Sequence, residues 1–183
     1  MGNEFTRCAA LASALLLAAC GGGHSHPSAS GSLSPAASDS LPPAVVEGVE
    51  RARAATARFA NLDSAVAAGY QRDGGRCLAN EPLGTMGFHH AKGALYDDRL
   101  DVERPEILVY ERLPDGRYRL NGVEYIVPYS ARPRDATPPR IMGQSLKRAD
   151  GLRLWYLHVW IWHENPSGMF ADWNPAVHCP RGS

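Results

Sequence analysis

Several histidines and glutamates of this chain sit on strand-like runs where apolar residues are the rule. The run YLHVWIWHENPSGMF (156–170) carries His158 and His163 among tryptophans, and GTMGFHH (84–90) adds His89 and His90. Carboxylates enter apolar runs at Glu106, Glu111 and Glu124. Imidazole and carboxylate together form a donor set for zinc, copper or non-haem iron. Alternation along an extended segment decides which of these groups can meet. His158 shares a face with Tyr156, Trp160 and Trp162, an aromatic wall suited to a ligand pocket, while Leu157, Val159 and Ile161 face the core. His163 falls on the Leu157 face. Five residues at about 3.3 Å each put it roughly 16 Å from His158, too far to share one ion with bonds of about 2 Å.

The same rule allows at most one of the neighbours His89 and His90 to join His158. Glu124, in NGVEYIVP, shares its face with Leu120 and Ile126, where a carboxylate needs a partner or a metal. The expected metal or ligand site is therefore His158 and one of His89 and His90, with Glu124, Glu106 or both, walled by Tyr156, Trp160 and Trp162. The spacings match no standard metal motif. A competing reading pairs Glu124 with an arginine and leaves His158 as a hydrogen-bonded core residue. Other chemistries have less behind them: there is no G-x-S-x-G elbow, no phosphate loop and no dinucleotide fingerprint.

The elements that must position these groups are legible in outline. Residues 44–59 place Val45, Val49, Ala52, Thr56 and Phe59 on one helical stripe. NLDSAVAAGY restarts a short helix, with Asn61 or Asp63 as its cap and Gly69 near its end. EILVYER (106–112), the turn LPDG and RYRLNGVEYIVP (117–128) read as a hairpin. The proline-rich stretch 129–140 reads as a loop, 151–163 as the longest strand, and NPSGMFADWNP as a structured loop. Helices first and mainly antiparallel strands afterwards predict an α+β fold for a single domain over 44–183. The net charge is zero and no basic cluster stands out, which argues against nucleic acid as a partner.

The N-terminus reads as an address. Residues 1–19 have the form of a signal peptide, and LAAC, ending at Cys20, matches the lipobox of bacterial lipoproteins. By that likeness Cys20 becomes the acylated first residue. Gly21, standing where aspartate would retain the protein at the inner membrane, points to the outer membrane facing the periplasm. An ordinary secretory signal is the alternative. Residues 20–43, rich in glycine, serine and proline, read as a flexible tether, and its His24 and His26 as solvated. Two cysteines then remain, Cys77 and Cys179. In an oxidising compartment they favour one disulfide, closing a loop worth roughly 4–5 kcal/mol, over a pair of thiolate metal ligands.

GTMGFHH, RPEILVYE, GVEYIVP and LHVWIWHENPSGMFADWNP together resemble a group of bacterial secreted or lipid-anchored proteins to which no activity attaches. Its motifs, M-G-x-H, R-P-E-x-L-x-Y-E and H-x-W-x-W-x-x-N-P-x-G-x-F, extend over about residues 50–180. The resemblance implies His89, Glu106, Glu124 and His158 as site residues. It also implies that Trp160, Asn165, Pro166 and Gly168 shape the terminal loop. His90, Ala91 and Lys92 depart from the pattern, which leaves the part of His90 open. The leading functional expectation is a lipid-anchored envelope domain binding a small ligand or a transition metal such as zinc, copper or iron. A metal-dependent hydrolase or oxygenase, with Glu124 or Glu106 as base, and a structural lipoprotein whose aromatic face meets a protein partner are the alternatives.

Overall fold

A computed structural model describes residues 41–180; the signal, Cys20, His24 and His26 lie outside the described residues. Helix α1 (Pro43–Thr56) begins with proline in its first turn and buries Val45, Val49, Ala52 and Thr56. A 3-10 turn (Ala57–Ala60) leads into the short α2 (Leu62–Ala67), whose Asn61 side chain accepts from the Asp63 N–H at 2.8 Å. Among the described residues no helix is long and apolar enough to cross a membrane.

The strands follow as β1 (Gln71–Arg72), β2 (Leu78–Asn80), β3 (Gly84–Ala91), β4 (Ile107–Arg112), β5 (Tyr118–Pro128), β6 (Arg140–Ile141), β7 (Gln144–Ser145), β8 (Lys147–Ala149) and β9 (Leu154–Val159). The main sheet is antiparallel with order β1-β3-β4-β5-β9-β8, and β2 also pairs with β3; β6 and β7 form a separate ribbon. The α+β expectation holds, and β4–β5 is the expected hairpin.

Alternation sorts the sheet into two faces. Leu108 and Tyr110 of β4, Val123, Tyr125 and Val127 of β5, and Trp155 and Leu157 of β9 pack with the helices. Ile107, Val109 and Ile126 point the other way and meet Trp160 and Val177. This second face is covered by chain from the C-terminal segment, which bridges to β3 through Thr85 and Asn174. The predicted disulfide is present: Cys77 and Cys179 are bonded, with Cα atoms 5.6 Å apart.

The strand expected over 151–163 is shorter than its apolar pattern. Asp150–Leu152 is a 3-10 turn, Arg153 is left-handed (φ 57°), and β9 spans only Leu154–Val159. Beyond it the N–H groups of Trp162 and His163 both donate to the Asn121 carbonyl. One acceptor serving two successive donors bends the chain out of the pleat, so alternation stops there. Gly122 makes room for the departure, since a Cβ on it would come within 2.7 Å of the Val159 oxygen.

Candidate metal centre

Three strands supply the candidate donors. The β5–β9 register sets Glu124 directly opposite His158, and β3–β4 pairing sets His89 opposite Val109. Val109 in turn lies opposite Gly122, two residues before Glu124 and on the same side of the pleat. His89 is steered by Gly87, whose φ of 106° and close approach to the Tyr110 carbonyl exclude any Cβ. All three donors are buried: His89 is 7% exposed, Glu124 6% and His158 2%.

Their facing atoms form a compact triangle. His89 Nε2 and His158 Nε2 are 3.2 Å apart, and Glu124 Oε2 lies 3.5 Å from the first and 3.7 Å from the second. Donors bound tetrahedrally at about 2.0–2.1 Å stand about 3.3 Å from one another, so the triangle has the size of one face of a zinc site. The three residues form a group that can hold a metal ion. Burial pushes the His89 imidazole down to about 3, with His158 and His90 adding to the effect, so its ring stays neutral, the form that binds metals. Burial raises the Glu124 carboxyl above the usual carboxylate range, and His158 opposes the shift.

Around His158 the support is specific. Trp160 stacks on its ring at 6.1 Å between centroids and 16° between planes, and its own indole N–H donates to the Ala171 carbonyl. Its Nδ1 is buried and faces Asp172 Oδ1 at 4.0 Å, about 1 Å beyond hydrogen-bond length. Asp172 is fixed by Lys147 Nζ and by the Tyr156 hydroxyl. Burial would raise the Asp172 carboxyl, but His158 and Lys147 hold it down at about 2. A carboxylate facing Nδ1 favours the proton there and leaves the Nε2 lone pair for a metal.

Other expected residues are placed differently. Glu106 is buried away from the triangle, where Oε2 accepts from the Ile126 N–H at 3.0 Å. The arginine ion pair once open to Glu124 belongs instead to Glu111, which Arg119 and the His178 N–H hold. Among the described residues Glu124 has only the two histidines within ion-pair reach. His90 points to the helix side, edge-on to Tyr110. His163 stands apart, its Nδ1 3.2 Å from Arg119. Trp162 is not a pocket residue: past the bend it packs with the helix-side core and its indole donates to Thr56 Oγ1. Trp160 supports His158 from the side without lining the cavity, whereas Tyr156 does line it. Asn165 and Gly168 do shape the terminal loop: Asn165 accepts from the Ser167 N–H, and its carbonyl accepts from the Gly168 N–H.

A cavity of about 530 Å³ opens onto the triangle. Its walls include residues the sequence did not single out, among them Asp73, Arg76, Tyr96 and Trp173. Searches of family models, curated proteins and solved structures match nothing to this chain.

Glu106 carries a separate pH prediction. Burial raises its carboxyl to about 8 against hydrogen bonding from the Ile126 N–H. With its folded pKa above its unfolded one, the unfolded chain releases this proton first. Stability therefore falls as pH rises from the unfolded value toward 8, at up to about 1.4 kcal/mol per pH unit. Glu106→Gln should remove that loss, so its melting temperature gains on the parent between pH 5 and 8 and the gain then levels off. A difference independent of pH would refute this reading of Glu106.

Proposed function

We propose that this domain holds a divalent transition metal between His89, Glu124 and His158 and presents it to a small molecule in the adjoining cavity. The observation that carries the reading is the triangle of donor atoms, with edges of 3.2, 3.5 and 3.7 Å. A core histidine pair needs only the first of these contacts. A buried carboxylate facing both imidazoles, with no lysine or arginine within ion-pair distance among the described residues, is what a metal compensates best. Two imidazoles and one carboxylate suit zinc or ferrous iron, with copper a weaker match. Elemental analysis of protein purified from its native compartment is the test. A stoichiometric metal, removed by a chelator and restored by the free ion, is expected. Traces only, with no uptake of added zinc, iron or copper, would end the reading.

A second reading, a metal-dependent hydrolase or oxygenase, has one observation behind it. Three protein donors beside a cavity leave a coordination position for water or substrate, as catalytic zinc sites do. In that reading Glu124 is a donor and Glu106 is remote, so neither serves as the base.

Asp172 is proposed to orient His158 for the metal. Asp172→Asn should weaken zinc binding about 10–100-fold, measured by chelator competition, while the fold survives. Unchanged affinity would show that the carboxylate serves only Lys147 and Tyr156. The envelope address is likewise a proposal, supported by LAAC at 17–20 and the tether-like 20–43. Cys20→Ser should release the protein from the membrane fraction and remove the acyl mass; no change in either argues against a lipid anchor.

A further inference from the structure

We propose that the cavity binds an amphipathic monocarboxylate, its carboxylate on the open position of the metal and beside the Tyr96 hydroxyl, its apolar body along the cavity walls. This rests on the metal reading and names the class of ligand. Charge is the first argument. Two neutral imidazoles and one carboxylate leave a divalent ion with one uncompensated positive charge. The other charged residues lining the cavity, Asp73 and Arg76, are opposite in sign and offset each other. An uncompensated charge in an apolar enclosure is costly, and one monoanion neutralises it.

The walls supply the second argument. Ile107, Ile126, Leu154 and Met86 line the interior beside the donors. Leu78 and Leu152 also line it, yet are 43% and 74% exposed, an apolar rim that a bound tail would cover. The volume of about 530 Å³ is that of a small-molecule site, far more than acetate needs. The third argument is Tyr96. Its ring lines the cavity, and among the described residues its hydroxyl has no hydrogen-bond partner. Tyr156, on the same cavity, already donates to Asp172. Tyr96 is thus the hydroxyl available to a ligand's second oxygen.

The test uses the full chain loaded with cobalt(II), with octanoate as probe and acetate and octylamine as comparisons. Octanoate should shift the visible cobalt bands and bind at least about tenfold more tightly than acetate, the body contributing through apolar burial. Octylamine should leave the bands unchanged. Tyr96→Phe should weaken octanoate severalfold and leave cobalt affinity unaltered. Equal affinity for octanoate and acetate, equal octanoate binding without cobalt, or an unaltered Tyr96→Phe titration would each overturn the proposal. Cobalt retained with no response to octanoate fells this proposal alone, and favours a metal-bound water. Failure to retain cobalt fells the metal reading with it.

Discussion

His158→Ala is expected to abolish retention of the metal, while His163→Ala leaves it nearly intact. His158 is the most buried of the three candidate donors, fixed by Trp160 on its ring and by Glu124 across the strand pair. A binding free energy of about 10 kcal/mol shared by three donors assigns each roughly 3 kcal/mol, more than a hundredfold in affinity. His163 lies with Arg119 outside the triangle and contributes no donor. Metal content after dialysis, alongside a urea melt of each variant, separates the outcomes. If His158 is only a core histidine hydrogen-bonded to His89, the alanine lowers stability without altering metal content. Equal metal loss in both variants would contradict the placement of His163.

Removing the Cys77–Cys179 bond should cost the fold more than any other change considered. The bond spans 102 residues, which in the chain-entropy model is worth about 4–5 kcal/mol. The double variant Cys77→Ser/Cys179→Ser is expected to unfold at much lower urea with a similar slope. Cys77 sits between Arg76 and Leu78, both lining the cavity, so the bond also pins one cavity wall to the C-terminal segment. Weaker ligand binding should accompany the loss of stability. A change below about 1 kcal/mol would mean that the unfolded chain is already compact or that native packing offsets the bond.

Some of this was legible along the chain because its physics is local. Pleating sends alternate side chains to opposite faces, so the placement of His158 with Tyr156, against Leu157 and Val159, follows from spacing alone, as does the separation of His89 from His90. The helical stripe from Val45 to Phe59 is likewise a matter of period, and two cysteines left after the expected export signal point to one bond. Alternation lasts only while the strand does. Trp162 was misplaced because the bend depends on the Asn121 carbonyl, forty residues earlier on another strand.

Register and the covering segments belong to the tertiary structure. Nothing in NGVEYIVP by itself says that Glu124 stands opposite His158 while Glu106 instead holds the Ile126 N–H, because register is set by packing and turn geometry across strands. Asp172, Tyr96, Trp173 and the Asp73–Cys77 stretch lie on turns and loops, where no period marks which way a side chain points. Tyr96 arrives on the connection between β3 and β4, and the others reach the donors because the disulfide, the Thr85–Asn174 bridge and the Lys147–Asp172 pair fold distant chain over one face of the sheet. Local spacing chose the donor types and the face; long-range closure made them a site.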